Sequence, residues 1–196
     1  MTRTNIINQL IQKRNYQSYL EIGIGSGLTY DYINCNIKIG VDPSDEYKGD
    51  ILHITSDEFF KQNKNTFDII FIDGLHISEQ VIKDVNNSLK VLNNGGVIVL
   101  HDCNPPTEGH QIVPQQQAEW NGDVWKAILH FRTNLTGYEI FTIDTDYGCG
   151  IIQKGDSQYS IKYEVNPYLE MNYYYFTMKR KDILNLISVD EFNKLI

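Results

Sequence analysis

The sequence predicts an α/β chain, with helices alternating with short apolar strands that form a mostly parallel sheet in a three-layer α/β/α arrangement. Three observations carry this expectation. Phe67-Asp68-Ile69-Ile70-Phe71-Ile72 and Val97-Ile98-Val99-Leu100 are short, nearly all-apolar runs, as strands buried on both faces tend to be. From Ser78 to Leu92, residues Val81, Ile82, Val85, Leu89 and Leu92 recur at helical spacing and give one buried face. Between Tyr19 and Gly27 an apolar strand pattern runs into glycines at every second position, the mark of a turn where a ligand can touch the backbone.

The elements follow in order. An amphipathic helix near Asn5 to Lys13 leads to a first strand near Ser18 to Ile22, and the glycine turn predicts a helix starting near Gly27 to Thr29. Ile37 to Val41 is the second strand, ending in Asp42-Pro43, and Ile51 to Ile54 the third. Thr55-Ser56-Asp57-Glu58-Phe59-Phe60 reads as a helix start, capped by Ser56 or Asp57. Phe67 to Ile72 is the fourth strand, with Asp73 at its end. The helix from Ser78 is stopped by Asn94-Gly95-Gly96, and Val97 to Leu100 forms the fifth strand, with His101-Asp102 at its tip. An irregular stretch from Cys103 to Trp120 is too long to be a mere connector. A helix from Asp123 to Asn134 and strands at Tyr138 to Ile143 and Gly148 to Gln153 complete a doubly wound, seven-stranded sheet with an antiparallel last strand. Residues 1–155 are expected as one domain. Residues 156–196, rich in tyrosine (Tyr159, Tyr163, Tyr168, Tyr173, Tyr174, Tyr175), are expected as a helical appendix packed on that domain or on a partner subunit, an arrangement compatible with a homodimer.

Composition narrows the function classes. The chain has 196 residues, a net charge of −8 and three cysteines without C-x-x-C spacing, so neither a disulfide framework nor a thiolate zinc site is indicated. An acidic chain is a poor non-specific partner for nucleic acid, which is bound through Lys and Arg. With no long apolar run and no signal-like N-terminus, the expectation is a cytoplasmic protein with no membrane partner.

The turn Glu21-Ile22-Gly23-Ile24-Gly25-Ser26-Gly27 spaces its glycines differently from the G-x-G-x-x-G of dinucleotide-binding turns. Asp42 follows Gly23 by 19 residues, a distance at which a carboxylate suits ribose hydroxyls. Glu21 to Gly27, Asp42, the Ser56-Asp57 corner, Asp73 and the Gly95-Gly96 strand recur in the order found in the Rossmann-like class I S-adenosylmethionine (SAM)-dependent methyltransferases, a family this chain resembles over about residues 1–153. The resemblance implies that Gly23, Gly25, Ser26 and Gly27 pass under the methionine and ribose of SAM. It further implies that Glu21 helps place the amino group, Asp42 takes the ribose, Asp73 adjoins the methyl donor, and Ser56 and Asp57 hold the adenine edge. Asp50 is a weaker alternative for that last role.

Two adjacent strand ends carry Asp73-Gly74-Leu75-His76 and His101-Asp102-Cys103. Methyl transfer to a hydroxyl needs an in-line acceptor and a base. His76 or His101 suits the base, with Asp73 and Asp102 as orienting or acceptor-binding groups. A second mechanism has Asp73, His101 and Asp102 hold Mg²⁺ or Mn²⁺. Related sugar and catechol O-methyltransferases place Asp-Asp or Asp-Asn where this chain has His101-Asp102. Cys103 is read as structural. Beyond it, Gln111, Trp120 and Trp125 suit a carbohydrate, since amides bond hydroxyls and an indole covers a sugar face. The run His-Asp-Cys-x-Pro-Pro with Trp-Asn-Gly-Asp-Val-Trp-Lys resembles small methyltransferases encoded among surface-polysaccharide genes. The expected function is therefore SAM-dependent O-methylation of a small acceptor, a sugar or sugar nucleotide. The alternatives are N-methylation, an NAD-dependent oxidoreductase and a non-catalytic SAM-binding protein.

Overall fold

The computed structural model describes residues 1–156 and 171–196. Its sheet has seven strands in the order β2-β1-β3-β4-β6-β5-β7. They are β1 (Ser18–Ile22), β2 (Ile37–Val41), β3 (Phe67–Ile72), β4 (Leu92–Leu100), β5 (Tyr138–Ile143), β6 (Cys149–Lys154) and β7 (Leu186–Ile187). All neighbouring pairs are parallel except those of β6, which runs antiparallel to both β4 and β5. The helices are α1 (Arg3–Arg14), α2 (Ser56–Gln62), α3 (Ser78–Val91), α4 (Glu108–Gln111), α5 (Trp125–Asn134), α6 (Tyr173–Leu184) and α7 (Val189–Leu195).

The apolar strands divide their side chains between two cores, as period-two alternation requires. Ile70, Ile72, Ile98 and Leu100 join Phe59, Val85, Trp125, Ile128 and Phe176 on the face covered by α2, α3, α5 and α6. Ile69, Phe71, Val97 and Val99 join Ile6, Leu10, Tyr19, Phe141 and Phe192 on the other, covered by α1 and α7. This is the three-layer arrangement expected of strands buried on both sides.

Four expectations are corrected. No α-helix follows Gly27; a single 3₁₀ turn, Tyr30–Tyr32, occupies that connection. Only nine residues separate Gly27 from β2, too few for a helix and a return, and the bulky Tyr30 turns into the core beside Tyr19. Ile51 to Ile54 is not a strand, and only an isolated bridge joins Leu52 to Val41. The seventh strand comes instead from the C-terminal segment, where β7 adds to β5. The α2 cap is Thr55, whose hydroxyl and Glu58 form a reciprocal capping box, so Ser56 and Asp57 lie one position inside the helix.

Tyr173, Tyr174 and Tyr175 fall on α6, whose Phe176 stacks on Trp125 with centroids 4.5 Å apart. Tyr159, Tyr163 and Tyr168 lie outside the described residues. Among the described residues no helix is long and apolar enough to cross a membrane.

Candidate active site

Strand order reverses about β1, since the chain leaves it for β2 on one side and returns to β3 on the other. Ligands of open α/β sheets bind beyond the strand ends at such a point. Here Gly23, with φ +87°, brings the β1 turn against the backbone of Asp73 and Gly74, where a side chain would collide. Gly25, with φ +52°, has nothing within 4 Å of where a Cβ would stand, so the turn keeps an open cradle there.

Two cavities meet at this turn. The larger, about 550 Å³, is lined by Gly23, Gly25, Asp42, Ser56, Asp57 and Asp73, and also by Gln80 and Asp84 from α3. The smaller, about 300 Å³, is lined by Glu21, Ser26, His76, His101 and Asp102, together with Arg3 and Thr29. Gly23, Gly25 and Asp73 belong to both. Gly27 borders neither; it packs against the Tyr47 ring, which corrects its expected place under a ligand.

Asp42 Oδ2 accepts the N–H groups of Ile24 (2.7 Å) and Gly25 (2.9 Å), and Oδ1 accepts that of Ser44 (2.7 Å). It thus fixes the glycine turn while facing the larger cavity. Ser56 Oγ accepts from Gln80 Nε2 at 3.2 Å, which also donates to Asp84 at 3.0 Å, whereas the Asp57 carboxylate pairs with Lys83. Glu21 is 1% exposed and accepts the Tyr19 hydroxyl. Burial, opposed by that hydrogen bond and reinforced by Asp73, pushes its pKa up to about 8.

At the tips of β3 and β4, four charged side chains interlock. His101 Nδ1 lies 3.2 Å from both Asp73 Oδ1 and Asp102 Oδ2. His76 Nε2 is 3.3 Å from Asp73 Oδ1, and its Nδ1 is 3.3 Å from Asp102 Oδ2 and 3.0 Å from the Trp120 carbonyl. Burial disfavours charge on all three of His76, His101 and Asp73. The contacts between them, with Asp102 and Asp146, win, raising both imidazoles and holding Asp73 well below the usual carboxylate range. Asp102 reaches its place through a left-handed backbone, φ +59°, and receives the Asn121 side-chain amide.

Arg3, Thr29, Asn121 and Asp146 were not anticipated. Arg3 Nε donates to Thr29 Oγ1 (3.0 Å), and Nη1 lies 3.1 Å from Asp146 Oδ1 and from His101 Nε2. Arg3 and Asp146 are 143 positions apart, with no local signal to join them; Asp144-Thr145-Asp146 reads from sequence as an ordinary hairpin turn. Both imidazoles line the smaller cavity, but His101 is the more enclosed, its side chain 5% exposed against 21% for His76.

Among the described residues, the three whose ligand atoms lie within 4.8 Å of one another are Asp73, His76 and Asp102, so His76 takes the place expected for His101 in a metal-binding set. The carbohydrate reading of Trp125 is corrected: Trp125 is fully buried in the core, where its Nε1 donates to Oε1 of the half-buried Gln111 at 3.2 Å. Trp120 stacks on His76, with centroids 5.5 Å apart and planes at 27°, and donates Nε1 to the Ile112 carbonyl at 2.6 Å. Cys103 is buried and its thiol pKa is raised by that burial, as suits a structural residue.

The sequence profile of a methyltransferase-domain family matches residues 39–103. Solved structures with a similar fold include the S-adenosylhomocysteine (SAH)-bound methyltransferase of Podospora anserina, 18% identical with a TM-score of 0.57 over 79% of this chain and 78% of that one. An O-methyltransferase of Bacillus cereus in complex with SAH is 14% identical, with a TM-score of 0.54 over 78% of this chain and 80% of that one. The O-methyltransferase TomG of Streptomyces achromogenes, involved in tomaymycin synthesis and in complex with SAM, is 12% identical, with a TM-score of 0.57 over 78% and 79%. No curated protein matches the sequence.

Proposed function

We propose that the chain is a class I SAM-dependent methyltransferase, as the methyltransferase-domain profile over residues 39–103 supports, and that it transfers the methyl group of SAM to a hydroxyl of a small acceptor, with a sugar or sugar nucleotide as the class to screen first. The observation that carries this is the meeting of two cavities at Gly25 and Asp73, directly beside the Asp73–His76–His101–Asp102 cluster. The open Gly25 cradle and the buried Glu21 fit a nucleoside with a cationic arm. In-line displacement at the sulfonium carbon depends chiefly on holding the acceptor. His76, the more exposed of the two imidazoles lining the smaller cavity, takes the hydroxyl proton on Nε2 in its neutral form, with Nδ1–H held by the Trp120 carbonyl, while the more enclosed His101 orients Asp73 and Asp102. The sugar reading now draws on the amide-rich stretch around Gln115 to Asn121 beside Trp120, rather than on Trp125.

A second reading is favoured by the compact Asp73–His76–Asp102 set and by His101 Nδ1, which is buried without a well-aligned hydrogen bond. Carboxylate oxygens and an imidazole suit a divalent cation, and Asp73, His76 and Asp102 would hold it. When bound, Mg²⁺ or Mn²⁺ would supply positive charge that lowers the pKa of the acceptor hydroxyl.

Calorimetric titration with SAM and SAH, with NAD as control, tests the cofactor reading, and methyl transfer to hydroxylated acceptors then tests the reaction. His76→Ala is expected to retain SAH binding and lose about 10²- to 10⁴-fold in rate. Preference for NAD, or a His76→Ala variant with unchanged rate, would sink the respective part.

A further inference from the structure

We propose that Arg3, reaching over the site from the first turn of α1, anchors the carboxylate of the cofactor's methionine arm, so that the N-terminal helix takes part in cofactor recognition. The assignment rests on the SAM reading above. A nucleoside in the larger cavity, with its sulfonium at the Gly25–Asp73 junction, has the adjoining smaller cavity for its aminocarboxypropyl arm. That arm carries an ammonium and a carboxylate. The smaller cavity offers acids at Glu21 and Asp73 for the first, and a cation for the second in Arg3.

Arg3 is held ready for this. Its Nε is fixed by Thr29 Oγ1 at 3.0 Å, and its Nη1 by Asp146 Oδ1 and Oδ2, both at 3.1 Å. The Thr29 side chain that orients it is itself buried. Among the described residues Nη2 has no partner, leaving its N–H groups, on a planar and pre-oriented guanidinium, for an anion. A guanidinium N–H donating to a carboxylate makes a charge-assisted bond, and a pre-ordered guanidinium loses little freedom on binding. Because Arg3 also stands 3.7 Å from Asp73, the same side chain ties the arm to the position of the reacting centre.

The test is calorimetric titration of wild type, Arg3→Ala and Arg3→Lys with two ligands, SAH and 5′-methylthioadenosine, which keeps the nucleoside and sulfur but lacks the arm. Arg3→Ala is expected to weaken SAH about ten- to hundredfold, the range of a charge-assisted bond, and to leave methylthioadenosine within about twofold. Arg3→Lys keeps the charge but loses the Nη2 donors and the planar group that Thr29 and Asp146 orient, and should weaken SAH about three- to tenfold. Unaltered methylthioadenosine affinity also reports an intact fold, and Arg3→Lys decides the question should Arg3→Ala not fold. SAH affinity untouched by both substitutions, or both ligands weakened alike, would overturn the assignment. Wild type binding neither ligand would overturn the cofactor reading instead.

Discussion

Replacing Glu21 by Gln probes the acid buried at the end of β1. In the folded protein its pKa is about 8, against an ordinary 4.5, mainly through burial. Between those values the native state binds a proton that the unfolded chain does not. The stabilisation is therefore fully present below about pH 4.5 and is lost as pH rises through 8. At about 1.4 kcal/mol per pKa unit the full span amounts to roughly 5 kcal/mol, and relaxation of the site around a charged Glu21 brings this to about 2–3 kcal/mol. Urea unfolding of wild type and Glu21→Gln from pH 5 to 9 measures it directly. The stability of wild type relative to the variant should fall by that amount up to pH 8 and level off above it. His76 and His101, both raised, are present in both proteins and largely cancel in the difference. Curves that stay parallel to within about 0.5 kcal/mol would refute the reasoning. Binding of a cationic ammonium beside Glu21 should likewise expel its proton near pH 7, which calorimetry in two buffers of different ionisation enthalpy detects and which Glu21→Gln should abolish.

Gly25→Val should place a β-branched residue at φ +52° and its side chain in the cradle. Melting should report about 1–2 kcal/mol of destabilisation, and titration at least a hundredfold loss of SAH affinity. Trp125→Ala should cost about 3–5 kcal/mol in urea unfolding, as for a fully buried indole, whereas Trp120→Ala should cost far less stability and lower the turnover rate by freeing the His76 ring. Treatment with a chelator should lower the methyl-transfer rate, with recovery on adding Mg²⁺ or Mn²⁺, if Asp73, His76 and Asp102 hold an ion; an unchanged rate would leave His76 as the sole proton acceptor.

Legibility in the sequence followed the range of the interactions. Strands β1 and β3 and the face of α3 were readable because burial on both sides, or on one face, imposes a composition within a few residues. The glycine turn and Asp42 were readable because they close adjacent strands β1 and β2 at a recognisable spacing, which brings the Asp42 carboxylate to the N–H groups of Ile24 and Gly25. The two tryptophans show where local chemistry misleads. Trp120 and Trp125 look alike in sequence, yet one covers His76 and the other sits beneath α6, and only the packing of residues far down the chain separates them. The short glycine-to-β2 connection was misread because helix propensity says nothing about how many residues remain for the return.

The same distinction explains which half of the site was missed. The cofactor side is built from consecutive residues of β1, β2 and β3, whereas the reacting side is closed by pairs separated by 143, 98 and 19 positions: Arg3 with Asp146, Arg3 with His101, and Asn121 with Asp102. Asp146 lies in the turn between β5 and β6, the antiparallel pair that completes the sheet, and Arg3 opens the helix that covers the opposite core. The interlocked form of the cluster therefore requires both α1 and the β5–β6 turn to be docked. Without them, His76, His101, Asp73 and Asp102 would meet without the cation and the acid that pack on His101 Nε2. The chemistry of the cluster thus depends on contacts that β1 and its glycine turn, complete in themselves, do not require.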